Sequence, residues 1–264
     1  MLYQAAFPPG GRVDGSSRFP TTVWTVILSA RNETERESAL ASLCNMYWFP
    51  LYVYVRRMGY AAEEAQDLTQ EFFVRVLEKG YLDRADRNKG RFRSFILSCL
   101  KSFLQDQSDR RAAIKRGGRH RTLSFDFQEG EGIYVREPAN DETPERIFER
   151  RWALALLDRA VRRLRNDFAE KGKAEQFEIL KPFLQGAHPD VPYSQLAKCL
   201  NVSESALKVA IHRLKKSYKR VLIAEITGTV ARPEEVEDEI RYLIASLAAR
   251  ATDAGSQRSV VSPG

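Results

Sequence analysis

Residue types that usually carry chemistry are scarce in this chain of 264 residues. Its three histidines are His120, His188 and His212, and no two are neighbours. That spacing gives poor support to His-based metal or triad chemistry. Its three cysteines, Cys44, Cys99 and Cys199, are odd in number, widely spaced and set among apolar neighbours. They read as reduced, buried thiols rather than as a zinc site or a disulfide framework. No glycine-rich phosphate loop is present. The paired acids Glu63-Glu64 and Glu234-Glu235 fall on helical patterns and read as solvated faces. No cofactor, no metal and no catalytic residue is expected, so the chain reads as a recognition protein and not an enzyme. No apolar run approaches the ~18 residues of a membrane span, so no membrane insertion is expected. The start, MLYQAAFPPGGR, lacks the basic and apolar stretches of a secretory signal. A cytoplasmic location follows as the expectation.

What the chain does have is sorted charge. The formal net charge is +7. From Arg87 to Arg121 there are eleven Lys/Arg against two acids, and from Tyr193 to Arg220 seven against one. Between them, Asp126 to Glu149 holds eight acids and two arginines. Two basic blocks flanking an acidic segment suggest two contacts along one polyanion, most simply a nucleic acid.

Hydrophobic periodicity is helical almost throughout. Thr22 caps a short expected helix with Val23, Trp24, Ile27 and Leu28. A second helix places Leu40, Leu43, Tyr47, Leu51, Tyr54 and Met58 inward, with a kink or break expected at Pro50 and Gly59 ending it. A third spans about 62–79, and a fourth from about Arg91 carries Phe92, Phe95, Ile96, Leu100 and Phe103. From 119 to 140 no period is sustained, and the segment reads as a linker with one short extended piece near Ile133–Val135. Thr143-Pro144 then marks a helix start, followed by Phe148, Trp152, Leu157 and Leu164 on one face. The expected architecture is all-α: a four-helix domain (19–118) after an N-terminal tail (1–18), an acidic linker (119–142), and a second helical domain (143–228). A C-terminal extension (229–264) holds one further helix, started by Pro233 with acids in its first turn.

Within the second domain, Tyr193 to Leu214 has the pattern of a helix-turn-helix. Leu196, Ala197 and Leu200 face inward. Asn201 stands where the turn needs a residue that tolerates positive φ, and Ser203 caps the next helix. That helix buries Leu207, Ala210, Ile211 and Leu214. Its opposite face carries Ser205, Lys208, His212, Lys215 and Lys219, the early residues suited to base edges and the later lysines to phosphates.

With these elements in order, the chain resembles the extracytoplasmic-function (ECF) sigma factors of bacterial RNA polymerase, over roughly residues 19–226. Asp67-Leu68-Thr69-Gln70-Glu71-Phe72-Phe73 is similar to the family's D-L-x-Q-E-x-F polymerase-binding motif. GRFRSFILSCLKSFLQDQSDRRAAIKRGG looks like its −10-reading helix, and the helix-turn-helix corresponds to the −35-reading domain. TTVW near the start and FERRWALALLDRAVRRLR after the linker are similar to a planctomycete-like subgroup.

The resemblance implies binding to core RNA polymerase and to promoter DNA, with an anti-sigma factor as a further type of partner. It assigns polymerase binding to Asp67, Leu68, Gln70, Glu71 and Phe73. It assigns −10 contacts to Arg91, Arg93, Lys101, Ser102, Arg110, Arg111, Lys115 and Arg116. Ser102 stands where many relatives have asparagine. The −35 contacts fall to Ser203, Ser205, Lys208, His212, Lys215 and Lys219. The acidic linker is expected to pass through the cationic interior of polymerase. The alternative is a stand-alone helix-turn-helix regulator, which needs a dimer interface matched to half-sites.

Overall fold

In a computed structural model, residues 33–78, 90–113, 125–135, 142–185, 191–230 and 232–256 are described. These residues form helices and turns, with no strand among them. The helix expected after Thr22 lies outside the described residues. In chain order the α-helices are α1 (Glu33–Arg57), α2 (Ala62–Glu78), α3 (Phe92–Ala113), α4 (Phe127–Val135) and α5 (Pro144–Glu170). They continue with α6 (Ala174–Leu180), α7 (Tyr193–Cys199), α8 (Glu204–Thr227) and α9 (Val236–Ser256). Short 3₁₀ turns lie at Lys181–Gln185 and Pro233–Glu235.

The middle of α1 is the centre of the fold. Pro50 through Val55 are all buried, on every side of the helix. A helix apolar all round is one surrounded by others, and α1 packs on both α2 and α5. That burial explains why α1 is one helix through Pro50, where a kink or short break was expected, with no break there: packing of Tyr47, Leu51 and Tyr54 outweighs one missing backbone donor. Met58 was expected inward, but it sits in the turn after α1 and is half-exposed.

Two apolar clusters hold the helices together. The first joins α1, α2 and α3 through Tyr47, Phe72, Phe92 and Phe103, and adds Phe148, Trp152 and Leu156 from the first half of α5. The second joins the later part of α5 to α6, α7 and α8 through Leu164, Phe177, Ala197, Leu207 and Leu214. The long α5 thus enters both clusters. Its start follows the local rule: Pro144 is the first helical residue, and the Thr143 hydroxyl accepts from the Arg146 N–H at 3.3 Å.

The segment read as a linker contains a helix. α4 lies where a short extended piece was expected. Phe125 and Phe127 meet Trp48 at ring-centre distances of 5.6 and 5.4 Å, and Phe125 meets Phe73 at 5.3 Å. Glu131 takes both an oxygen-to-Arg56 ion pair at 2.8 Å and a hydrogen bond from the Tyr52 hydroxyl. Burial works against its ionisation, yet the hydrogen bonds from Arg56 and Tyr52 hold Glu131 below the usual carboxylate range. A Cβ at Gly130 would stand 2.9 Å from Trp48, so glycine permits this close approach. Its two glycines obscure the helical signal, and tertiary contacts override it.

Candidate nucleic-acid interface

The helix-turn-helix is built by local rules. The backbone of Asn201 has φ of 51°, the left-handed conformation the turn demands. The Val202 N–H donates to the Ala197 carbonyl at 3.0 Å, folding the turn back on α7. The Ser203 hydroxyl accepts from the Ala206 N–H at 3.1 Å and caps α8. Ala197, Leu207, Ile211 and Leu214 are buried between the two helices and their support.

The opposite face of α8 is open. Ser203, Ser205, Lys208, His212, Lys215 and Lys219 are all exposed. Lys208 places its ammonium 6.0 Å from the centre of the Tyr193 ring. None of these cations has an ion-pair partner among the described residues. Arg213, Lys216 and Arg220 are exposed as well and widen the basic surface beyond the stripe read from sequence. Helix α8 is held from behind by Glu225, which is buried and paired with Arg159 at 2.7 Å and Arg163 at 3.1 Å on α5.

The other basic block is arranged differently. Arg93 is 3% exposed. It pairs with the fully buried Glu239 of α9, and its guanidinium lies 4.8 Å from the Trp152 ring centre and 4.4 Å from that of Tyr242. Burial pulls the guanidinium down to about 10, and the neighbouring Arg91 charge adds to that. Arg93 therefore corrects the expectation of a surface contact: in this arrangement its charge faces the interior. Arg91 is about one-third exposed and pairs with Glu239 at 2.8 Å. Lys101 pairs with Glu145 at 2.7 Å while remaining half-exposed, and it holds the Glu145 carboxyl below the usual range. Ser102 is exposed. Arg110 and Arg111 lie on α3, but their side chains are outside the described residues, as are Lys115 and Arg116 altogether.

The D-L-T-Q-E-F-F motif divides in the same way. Leu68 and Phe73 are buried in the first cluster, Leu68 at 2% exposure and Phe73 at none. Both hold α2 against its neighbours. Asp67 is exposed, and Gln70 and Glu71 are partly so. Glu71 accepts an ion pair from Arg75 at 2.7 Å, one turn along the helix. The exposed part of the motif is polar and acidic. Among the described residues no group of three or more His, Cys, Asp or Glu could hold a metal ion. No described helix is long and apolar enough to cross a membrane.

Sequence reasoning missed Glu239 and Tyr242, the residues that cover Arg91 and Arg93. The acids of PEEVEDEI were legible as a helix start, but nothing local marks which of them reaches another helix.

No curated protein and no solved structure matches the chain. Residues 50–114 match the family model of sigma-70 region 2. The matched span runs from the centre of α1 through α3 and contains the whole D-L-T-Q-E-F-F motif. This match supports a sigma factor of the sigma-70 family, which acts in transcription initiation with core RNA polymerase and promoter DNA.

Proposed function

We propose that the chain is an ECF-type sigma factor of the planctomycete-like subgroup, working in the cytoplasm of a bacterium. One observation carries the reading. A region 2 segment is followed in the same chain by a helix-turn-helix whose basic face is open. A sigma factor makes no bonds: it binds polymerase, positions it on two promoter elements and helps open the duplex.

In this reading Asp67, Gln70 and Glu71 of α2 dock on core polymerase, with Leu68 and Phe73 holding the helix in place. Arg91, Lys101, Ser102, Arg110, Arg111, Lys115 and Arg116 serve the −10 element. Cations holding phosphates there offset the few kcal/mol that base unstacking costs. On α8, Ser205, Lys208 and His212 meet base edges of the −35 element, while Lys215 and Lys219 hold phosphates. The functional units are residues 19–118 and 143–228, joined across 119–142.

Pull-down of core RNA polymerase by the chain tests the first contact. Replacing Asp67 and Gln70 by alanine is expected to weaken capture while leaving helicity by circular dichroism intact. Unchanged capture would remove α2 as the polymerase surface. A wild-type chain that binds duplex DNA but never polymerase would favour the stand-alone regulator.

A further inference from the structure

Glu239 lies in the C-terminal extension, outside both the region 2 match and the helix-turn-helix. Its side chain is fully buried, with one carboxylate oxygen on Arg91 at 2.8 Å and the other on Arg93. Tyr242, almost one turn further along α9, covers both guanidiniums. Other acids near the helix start pair locally: Glu235 with Arg232 and Asp238 with Arg241. Glu239 instead crosses to α3. Helix α9 also packs on α5 and α8, and Leu243 joins the first apolar cluster, so its docking has an apolar anchor.

A carboxylate held by two guanidiniums occupies the geometry that a phosphate takes on arginine. We propose that α9 is a displaceable intramolecular clamp: Glu239 stands where a DNA phosphate binds, so docked α9 and DNA on Arg91 and Arg93 exclude each other. The clamp rests on the reading that the α3 arginines serve promoter DNA. Arg91, partly exposed, offers an incoming phosphate its first contact. Arg93 becomes available only once Glu239 and Tyr242 withdraw. Because linkage is reciprocal, whatever docked α9 takes from DNA affinity, bound DNA takes from α9 docking.

The test uses the full chain and a short fluorescein-labelled single-stranded DNA of mixed sequence, titrated by anisotropy at several salt concentrations. Glu239→Gln is expected to bind at least about fivefold more tightly than wild type, the low end of ordinary coupling between sites. Its slope of log affinity against log salt should steepen by about 0.7 for each arginine released. Glu237→Gln makes the same charge change at an exposed position on the same turn, and its effect should be much smaller. Equal effects of the two substitutions would overturn the clamp, as would a Glu239→Gln chain that matches wild type. Should neither chain bind, the assignment of α3 to DNA falls and the clamp falls with it. If Glu239→Gln does not fold, hydrogen exchange on the wild-type chain decides. Saturating DNA should speed amide exchange across Val236–Leu243, and unchanged or slower exchange there would overturn the proposal.

Discussion

The start of α3 and the exposed face of α8 are both basic, and their surroundings are opposite. Arg91 and Arg93 meet Glu239, Tyr242 and Trp152 inside the molecule. Lys208, His212, Lys215 and Lys219 meet solvent. Counting charge therefore locates basic segments without revealing which of them is available. Availability is decided by acids elsewhere in the chain. An arginine close to aromatic rings can be buried at neutral pH because its planar cation is stacked and paired at once. A lysine on a helix-turn-helix face keeps its hydration until a polyanion displaces it.

That contrast can be broken first at the core that unites both regions. Trp152 is fully buried, belongs to the first cluster and lies beside Arg93. Trp152→Ala is expected to cost roughly 3–5 kcal/mol, read as a large fall in thermal midpoint. A loss below about 1 kcal/mol would mean that α5 is not held on α1 as described.

The next largest effect compares charges directly. Removing the charge of Glu239 takes the ion-pair partner from buried Arg93 and leaves Glu149 as the nearby acid, which costs up to about 3–5 kcal/mol. Arg91→Ala removes the partly exposed partner of buried Glu239, which keeps its pair with Arg93, and should cost less, about 1–3 kcal/mol. Lys208→Ala should stay within about 0.5 kcal/mol of wild type. Urea unfolding of the three variants measures the order. Equal stability of Glu239→Gln and Lys208→Ala would erase the distinction between a covered and an open basic region.

The open face can be sharpened into two functions. Lys208 lies one turn into α8 and Lys219 about three turns further. Lys208→Ala is expected to lose roughly 1–3 kcal/mol of discrimination between promoter and scrambled −35 duplexes, if its contact is to a base edge. Lys219→Ala should weaken both duplexes alike and lower the salt slope by about 0.9. Identical behaviour of the two variants would withdraw the base-reading role of Lys208. A local effect belongs to the cap of α8. Ser203→Ala removes the acceptor for the Ala206 N–H and should cost about 1 kcal/mol, visible as faster amide exchange in the first turn of α8.

Local signals made much of this fold readable. Asn201 and Ser203 announce the turn and cap of the helix-turn-helix, and Thr143-Pro144 announces α5, because each depends only on residues a few places away. The period-3.6 pattern likewise identified α1, α2 and α3. What escaped reading depends on distant partners. Arg93 and Glu239 are separated by 146 positions, and Arg56 and Glu131 by 75. α4 was hidden for the same reason: its glycines deny it local propensity, and Trp48 of α1, against which Phe125 and Phe127 pack, supplies its stability from outside. Leu68 and Phe73 show the same limit inside a motif, where the sequence pattern does not separate residues that face a partner from those that support the helix.

The most direct test of the account is run-off transcription. Core RNA polymerase from the source organism is mixed with the purified chain and a library of genomic promoter fragments. The account predicts transcripts that appear only when the chain is added, start downstream of a shared pair of sequence elements, and disappear with the Asp67→Ala/Gln70→Ala variant. A chain that binds the same fragments tightly yet yields no added transcripts would contradict it.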